Sequence, residues 1–146
     1  MDSSLVYLTQ TDTTVGFLSS DDKKLSMIKK RDINKKILQV VDSFKTLQKN
    51  IRVPKKFRKI VRNSKKTTFI YPKKEAFRVV NQEQQHHSFL KKFHTLYSTS
   101  ANITQNNFDE KFATQTADII VYNKEFKEST PSCIFILSKS KKKQIR

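Results

Sequence analysis

The sequence predicts one α+β or α/β domain layered around a single sheet, and the motifs described below favour α+β. Short apolar runs typical of strands alternate with capped, amphipathic stretches typical of helices, and some neighbouring runs are close enough to pair as hairpins. The chain has 146 residues, is 36% hydrophobic and contains 11 phenylalanines and 4 tyrosines, which is enough apolar surface for a folded core. We therefore expect residues 1–146 to form one domain, with residues 138–146 as a basic tail after the last strand.

The predicted strands are short runs of apolar, β-branched and aromatic residues. They cover residues 5–8, 37–41, 67–71, 76–80, 118–121 and 133–137. Residues 73–75 separate two of these runs, as in a hairpin. A further strand begins at Leu96 and continues into a series of small polar residues that ends at Asn102.

Helices are predicted where a capping or first-turn residue precedes apolar residues at helical spacing. They follow the caps at residues 20–22 and 42–43, begin at Pro54, and cover residues 88–93 and a segment near 108–114. In the helix that begins at Pro54, Phe57, Ile60 and Val61 are spaced i, i+3 and i+4, so we expect that face to pack inward.

Two clusters of small polar residues follow predicted strands. Residues 98–102 contain two serines, one threonine and one asparagine. A buried hydroxyl or amide without a partner costs about 1–3 kcal/mol, so this cluster needs a ligand, a turn or water. On composition alone, a serine-rich loop is the simpler explanation. The second cluster, residues 9–14, makes one shared site the alternative, and Gly16, the only glycine, indicates a special backbone conformation or a close approach beside it.

The net charge is +17, and 24 of the 30 basic residues are lysines. Adenine- and thymine-rich coding would explain part of this excess as a solvated surface without a partner. However, twelve basic residues and no acidic ones lie between Asp42 and Glu75. Such a field attracts polyanions and favours salt-dependent binding to phosphate backbones, so contact with RNA or DNA is expected without sequence preference.

Other site types lack the residues they need. Cys133 is the only cysteine, so it has no partner for a disulfide or a zinc site, and we expect a small hydrophobe in a strand. His86, His87 and His94 lack Cys or carboxylate companions and are expected to be solvated. No glycine-rich phosphate loop is present. No apolar run reaches about 20 residues, so we expect a cytoplasmic protein without membrane contact.

The motifs, in their order, resemble the YrdC/YciO family of threonylcarbamoyl-AMP synthases. Members begin with P-T-D/E-T-V-Y-G-L and continue with K-x-R-P, N-P-L, T-x-x-x-P, R-x-P, S-T-S-A-N-x-S-G, P-S-T-I and a late arginine. The counterparts here are residues 10–17, 29–31, 68–72, 78, 98–102, 131–134 and 146. The sequence departs from the family at Gln10, Asp32, Lys36, Val80 and Thr104-Gln105, where members have proline or, at the last pair, Ser-Gly.

This resemblance implies an open, twisted, mixed β-sheet flanked by helices. It also implies synthesis of threonylcarbamoyl-adenylate and pyrophosphate from L-threonine, bicarbonate and ATP, for threonylcarbamoyladenosine modification of tRNA. Magnesium would arrive with ATP, held mainly by phosphate oxygens, so no protein metal site is expected. RNA or tRNA and other tRNA-threonylcarbamoylation proteins are the implied macromolecular partners.

The resemblance also implies a role for individual residues. The catalytic set would be Lys29, Arg31, Ser100 and Asn102, which also contact the nucleotide. Thr68 and Arg146 would complete the nucleotide side. Thr11, Thr13, Ser98 and Ser132 would line the threonine side. A plainer explanation for the cations at residues 29–31 is that they complement the dipole of the preceding helix.

Two other functions are consistent with the sequence. One is a YrdC-like protein that binds double-stranded RNA or tRNA through its basic surface without making the adenylate. The other is a basic protein associated with the nucleoid or ribosome. The discriminating feature is whether Thr11, Lys29, Arg31, Ser100 and Asn102 converge on one cavity, and we predict that they do.

Overall fold

A nine-stranded mixed sheet forms the centre of the computed structural model, which describes residues 1–103, 106–121 and 126–146. Its strands are β1 Tyr7–Gln10, β2 Val15–Ser19, β3 Gln39–Val41, β4 Thr67–Ile70, β5 Ala76–Val79, β6 Thr95–Ser100, β7 Ile119–Val121, β8 Cys133–Leu137 and β9 Lys142–Gln144. The order across the sheet is β7-β1-β2-β6-β3-β5-β4-β8-β9. The open mixed sheet predicted from the sequence is therefore confirmed.

Five short helices lie over the described part of the chain. They are α1 Asp22–Ile28, α2 Phe44–Asn50, α3 Arg58–Asn63, α4 Gln85–Leu90 and α5 Glu110–Thr116. The Asp21 carboxylate caps α1, and the hydroxyl of Ser43 accepts a hydrogen bond from Thr46 N at the start of α2. Pro54 lies before a 3₁₀ turn, Lys55–Phe57, that leads directly into α3.

The centre of the sheet contains three antiparallel pairs in succession, β1-β2, β2-β6 and β6-β3, and parallel and antiparallel pairs alternate only beyond β3. β4 and β5 form the predicted hairpin, and β6 lies between β2 and β3, antiparallel to both. Parallel pairs join β3 to β5, β4 to β8 and β1 to β7. Strand β6, with its polar end, is consequently a central strand of the sheet.

The two faces of the sheet are covered unequally. On one face, Phe17 and Phe69 belong to apolar clusters that also contain residues of α1, α2, α3 and α5. On the other face, the buried side chains of Leu18 and Leu96 pack with Phe89 and Leu90 of α4. The register places the side chains of Val40 and Arg78 on this second face, because paired strand residues point to the same side. One face is thus filled by four helices and the other only in part by α4.

Several sequence predictions are corrected by the structure. The expected basic tail contains β9, which pairs antiparallel with β8 and ends the sheet. Of the three residues expected to face the core from the third predicted helix, Phe57 and Val61 are buried, whereas Ile60 is 43% exposed. Cys133 lies in a strand as predicted, yet its side chain is exposed. His86 was expected to be solvated and is 3% exposed, because α4 packs it against the sheet.

Candidate functional site

A cavity of about 460 Å³ lies on the partly covered face of the sheet. Its volume is in the range of small-ligand sites. Nine of the ten site residues predicted from the sequence line it: Thr11, Thr13, Arg31, Thr68, Ser98, Ser100, Asn102, Ser132 and Arg146. The tenth, Lys29, is not a lining residue but contacts two that are. The cavity therefore brings together motifs that are up to 135 positions apart in the sequence, from Thr11 to Arg146.

The first polar cluster forms a tight turn between β1 and β2. The hydroxyl of Thr11 donates to Thr14 O at 2.5 Å and accepts a hydrogen bond from Thr13 N at 3.1 Å. Gly16 lies behind this turn, where an added Cβ would be 2.9 Å from Thr11 Cγ2 and 3.1 Å from Thr99 O. The close approach inferred from the only glycine is confirmed, and it holds the turn against the end of β6.

Lys29 connects the end of α1 to the end of β6. Its ammonium group donates to Asn102 Oδ1 at 2.8 Å, to Ser100 O at 3.1 Å and to the backbone oxygen of Asn102. The Ser100 hydroxyl in turn donates to Asn102 Oδ1 at 2.6 Å. Burial lowers the pKa of Lys29, and the neighbouring charge of Arg31 lowers it further. The polar strand end is thus organised around a cation.

The backbone at Lys30 places Lys29 and Arg31 together. Lys30 has φ of 49°, and Arg31 N donates to Ser26 O at 3.1 Å while Lys30 N donates to Met27 O at 3.1 Å. These two bonds around a left-handed residue form a Schellman termination of α1. The chain reverses at this point, so Arg31 reaches the cavity although Lys29 turns toward β6.

A second polar chain lies across the cavity, at the end of the sequence. The hydroxyls of Thr68 and Ser132 are 2.9 Å apart and buried. Arg146 donates from Nε to Ser132 O at 2.9 Å and from a terminal nitrogen to Ser132 Oγ at 3.2 Å. This arrangement keeps the guanidinium of the final residue beside the cavity.

Arg78 is a lining residue to which the sequence interpretation gave no role. It lies on β5 with 4% exposure, and its guanidinium is 3.0 Å from the buried Asp12 carboxylate. Burial lowers the pKa of Arg78, and the Asp12 charge opposes that effect. The contact joins a terminal guanidinium nitrogen to Asp12 Oδ1, whereas Arg78 Nε has no hydrogen-bond partner within the described ranges. The sequence did contain a signal for this residue, because an arginine between Phe77 and Val79 interrupts the apolar pattern of a predicted strand.

His86 lies close to this buried pair. Burial, with the positive charges of Arg78 and His87, lowers the pKa of His86 to about 3. Neither ring nitrogen has a hydrogen-bond partner in the part of the chain that the structure describes. His86 is therefore neutral near pH 7 and adds no charge to the site.

Residues that replace the family's prolines make local contacts of their own. Gln10 Oε1 accepts from Lys127 N at 2.9 Å, and Asp32 Oδ1 accepts from Asn34 N at 2.9 Å. Lys36 forms an exposed ion pair with Glu75 at 3.4 Å. Val80 is buried in the core beside α4. The replacement at Thr104-Gln105 lies outside the described residues.

The same fold occurs in solved structures. E. coli YciO superposes with a TM-score of 0.76 at 16% identity over 98% of this chain and 82% of its own. P. abyssi Sua5 complexed with L-threonine gives 0.75 at 14% identity, over 98% and 50%. Full-length HypF in its phosphate- and nucleotide-bound form gives 0.71 at 15% identity, over 98% and 27%. The chain spans about half of Sua5 and most of YciO.

These likenesses define the class of fold. The chain has the mixed-sheet YrdC-like fold, as its motifs predicted. No family model matches the sequence, and no curated protein matches it significantly. No helix within the described ranges is long and apolar enough to cross a membrane.

Proposed function

We propose that the protein synthesises threonylcarbamoyl-adenylate from L-threonine, bicarbonate and ATP, with release of pyrophosphate. The observation that carries this proposal is the convergence of nine predicted site residues on one cavity of the YrdC-like fold. The complexes of Sua5 with L-threonine and of HypF with nucleotide support the same ligand classes for this fold.

The charges of the cavity suit an anionic ligand. Arg31, Arg78 and Arg146 line it, and Lys29 lies at its edge. The carboxylate of Asp12 forms an ion pair with Arg78. A triphosphate and a carbamate both bring negative charge, which guanidinium groups bind through paired hydrogen bonds.

The reaction needs positioning and fixed positive charge more than acid–base chemistry. The threonine amine and bicarbonate form a carbamate with loss of water; the carbamate oxygen then attacks the α-phosphorus, and the bond to pyrophosphate breaks. Negative charge increases on the phosphate oxygens, and fixed cations stabilise it without reorganisation. Arg31 and Lys29 would serve there, while Ser100 and Asn102, held by Lys29, would orient the reacting group.

Smaller hydroxyls would recognise the substrates. Thr68 of β4 and Ser132, which precedes β8, form one hydrogen-bonded pair, and Thr11 and Thr13 form another in the turn between β1 and β2. Among the described residues, no group of three or more His, Cys, Asp or Glu side chains could hold a metal ion. We propose that magnesium arrives on the phosphate oxygens of ATP.

The test is to incubate the purified protein with ATP, bicarbonate and each amino acid in turn. Pyrophosphate and the adenylate product would be measured together. We expect release that depends on both threonine and bicarbonate. Release that is absent, or equal with every amino acid, would contradict the proposal.

A pair of variants in α1 tests the role of Lys29. Lys29→Ala removes the ammonium group that holds Ser100 and Asn102, and we expect turnover to fall roughly 100-fold or more. Lys23→Ala is the matched control, since Lys23 is an exposed lysine of the same helix. Equal activity of the two variants, with both folded by circular dichroism, would show that the assignment of Lys29 is wrong.

The alternative is a protein that binds double-stranded RNA or tRNA without synthesising the adenylate. The net charge of +17 favours RNA contact in either case. The pyrophosphate assay separates the two functions, because only the synthase consumes ATP in the presence of threonine.

A further inference from the structure

The whole net charge of the chain comes from two segments. Residues 43–74 carry twelve Lys or Arg and residues 129–146 carry five, with no acidic residue in either. The rest of the sequence carries 13 basic and 13 acidic residues and is neutral overall. Two such segments, separated by more than fifty positions, would not be expected to share a surface on composition alone.

The fold brings the two segments together. β4 pairs with β8 in parallel, and Lys56 Nζ donates to Ser140 O at 3.1 Å across them. Phe57 and Val61 lie in the same apolar cluster as Leu137. The register places Lys142 on the side of Leu137 and Lys143 on the opposite, cavity side, and Lys139 lines one groove with Lys55. We call the exposed Lys and Arg side chains of residues 45–66, together with Lys139 and Lys142, the basic face. Arg146 is excluded, because it is turned toward the cavity.

The basic face is held without neutralising acids. The guanidinium of Arg62 lies 4.7 Å from the ring centre of Phe44, and Lys142 Nζ lies 4.9 Å from that of Phe135. A cation–π contact fixes the position of a cation and leaves its charge available to an anion. Two exposed ion pairs lie at the border of the face. Lys65, which belongs to the face, pairs with Glu83, and Lys36, which lies outside it, pairs with Glu75.

The side chains of this face indicate which polyanion it fits. Within the two basic segments, residues 43–74 and 129–146, every aromatic side chain is buried or half-buried. None is therefore exposed for stacking on unpaired bases. α2 and α3 have seven and six residues and turn Leu47 and Val61 inward, which is unlike the apolar face of a membrane-binding helix. An array of cations with no exposed aromatic side chain and a single exposed apolar one, Ile60, suits the phosphate backbone of a duplex.

We infer that the basic face is a docking surface for a nucleic-acid duplex, bound through its phosphates. It is formed largely by α2 and α3, which cover the opposite side of the sheet from the cavity. The inference does not depend on adenylate synthesis, and it assigns a location to the RNA-binding alternative.

The test uses two variants with equal changes in net charge. The face variant combines Lys55→Gln, Lys59→Gln, Lys139→Gln and Lys142→Gln. The control variant combines Lys23→Gln, Lys91→Gln, Lys92→Gln and Lys111→Gln. All eight lysines are exposed. Both proteins keep the same total charge, so a difference between them reports position.

Binding of a 20-base-pair RNA hairpin would be measured by fluorescence anisotropy at several salt concentrations. DNA of the same duplex length, single-stranded RNA and phosphatidylserine vesicles are the other probes. Each phosphate contact contributes about 0.9 to the slope of log K against log salt. We expect the face variant to lose about tenfold or more in affinity, with a slope shallower by about 2 to 4. The control variant should lose less than about threefold, since its lysines lie outside the face.

Comparing the four probes shows which kind of polyanion the protein binds. A preference for either duplex over the single strand supports the inference, and the RNA and DNA arms identify which duplex is bound. Equal losses in both variants, stronger binding to single strands, binding to vesicles only, or no binding would each overturn it. Pyrophosphate release by the face variant separates this outcome from the proposed synthase, because its four lysines lie outside the cavity.

Discussion

Gly16→Ala tests the contact that joins the Thr11 turn to the polar end of β6. The new methyl would be 2.9 Å from Thr11 Cγ2 and 3.1 Å from Thr99 O, both closer than ordinary contacts. Thr99 O belongs to a central strand and cannot move without disturbing the sheet. Gly16 has no positive φ, so the backbone itself would accept alanine.

Two opposing effects determine the size of this change. Overpacking a well-packed site costs about 1–3 kcal/mol. Replacing glycine by alanine at a compatible φ stabilises by about 0.4–1 kcal/mol through the unfolded chain. We expect overpacking to exceed the entropy gain, so the free energy of unfolding should fall by about 1–2 kcal/mol. Urea denaturation followed by circular dichroism would measure it.

A second substitution locates the strain. Thr11→Ser keeps the hydroxyl that forms the turn and removes Cγ2, the closest atom to the added methyl. The double variant Gly16→Ala with Thr11→Ser should therefore recover about 1 kcal/mol relative to the sum of the single changes. Thr13→Ser, in the same turn, is the matched control and should be additive with Gly16→Ala. Additivity at Thr11, or an undiminished stability of Gly16→Ala, would refute this account of the glycine.

Two further predictions concern the buried charges beneath the cavity. Asp12→Asn leaves the Arg78 guanidinium without its carboxylate, and we expect a loss of about 3–5 kcal/mol in urea denaturation, which an unchanged midpoint would contradict. His86 has its folded pKa depressed to about 3 from 6.5, so the unfolded chain binds a proton that the folded one does not as pH falls below 6.5. Stability should therefore fall by roughly 2 kcal/mol between pH 7 and pH 5, and this dependence should be reduced in His86→Phe. The same pH slope in both proteins would show that His86 is not its source.

The structure explains why most of the candidate site could be predicted and part of it could not. Hydroxyl and amide residues at strand ends are visible as departures from apolar runs, so Ser98, Ser100 and Asn102 were found from the sequence. Arg78 was not assigned a role, because an arginine inside an apolar strand can point to solvent as easily as inward. Its partner Asp12 lies in the turn between β1 and β2, and only the pairing order across the sheet brings the two together.

The contacts of Lys29 could also be known only from the tertiary structure. The sequence indicated a cation at a helix end, where the helix dipole would explain it. The left-handed turn at Lys30 sends Lys29 toward β6, where it contacts Asn102. That geometry follows from two hydrogen bonds at the end of α1, which no spacing of residue types specifies.

By itself the sequence determined a layered domain of helices and strands around one sheet, the hairpin of β4 and β5, and the residue types that surround the cavity. These follow from local patterns, because strand alternation, caps and polar strand ends depend on near neighbours. The tertiary structure alone decided that residues 138–146 close the sheet through β9, that His86 and Arg78 are buried, and that two basic segments form one face. Each of these depends on contacts between distant segments, whose free energy is set by the packing of the whole sheet.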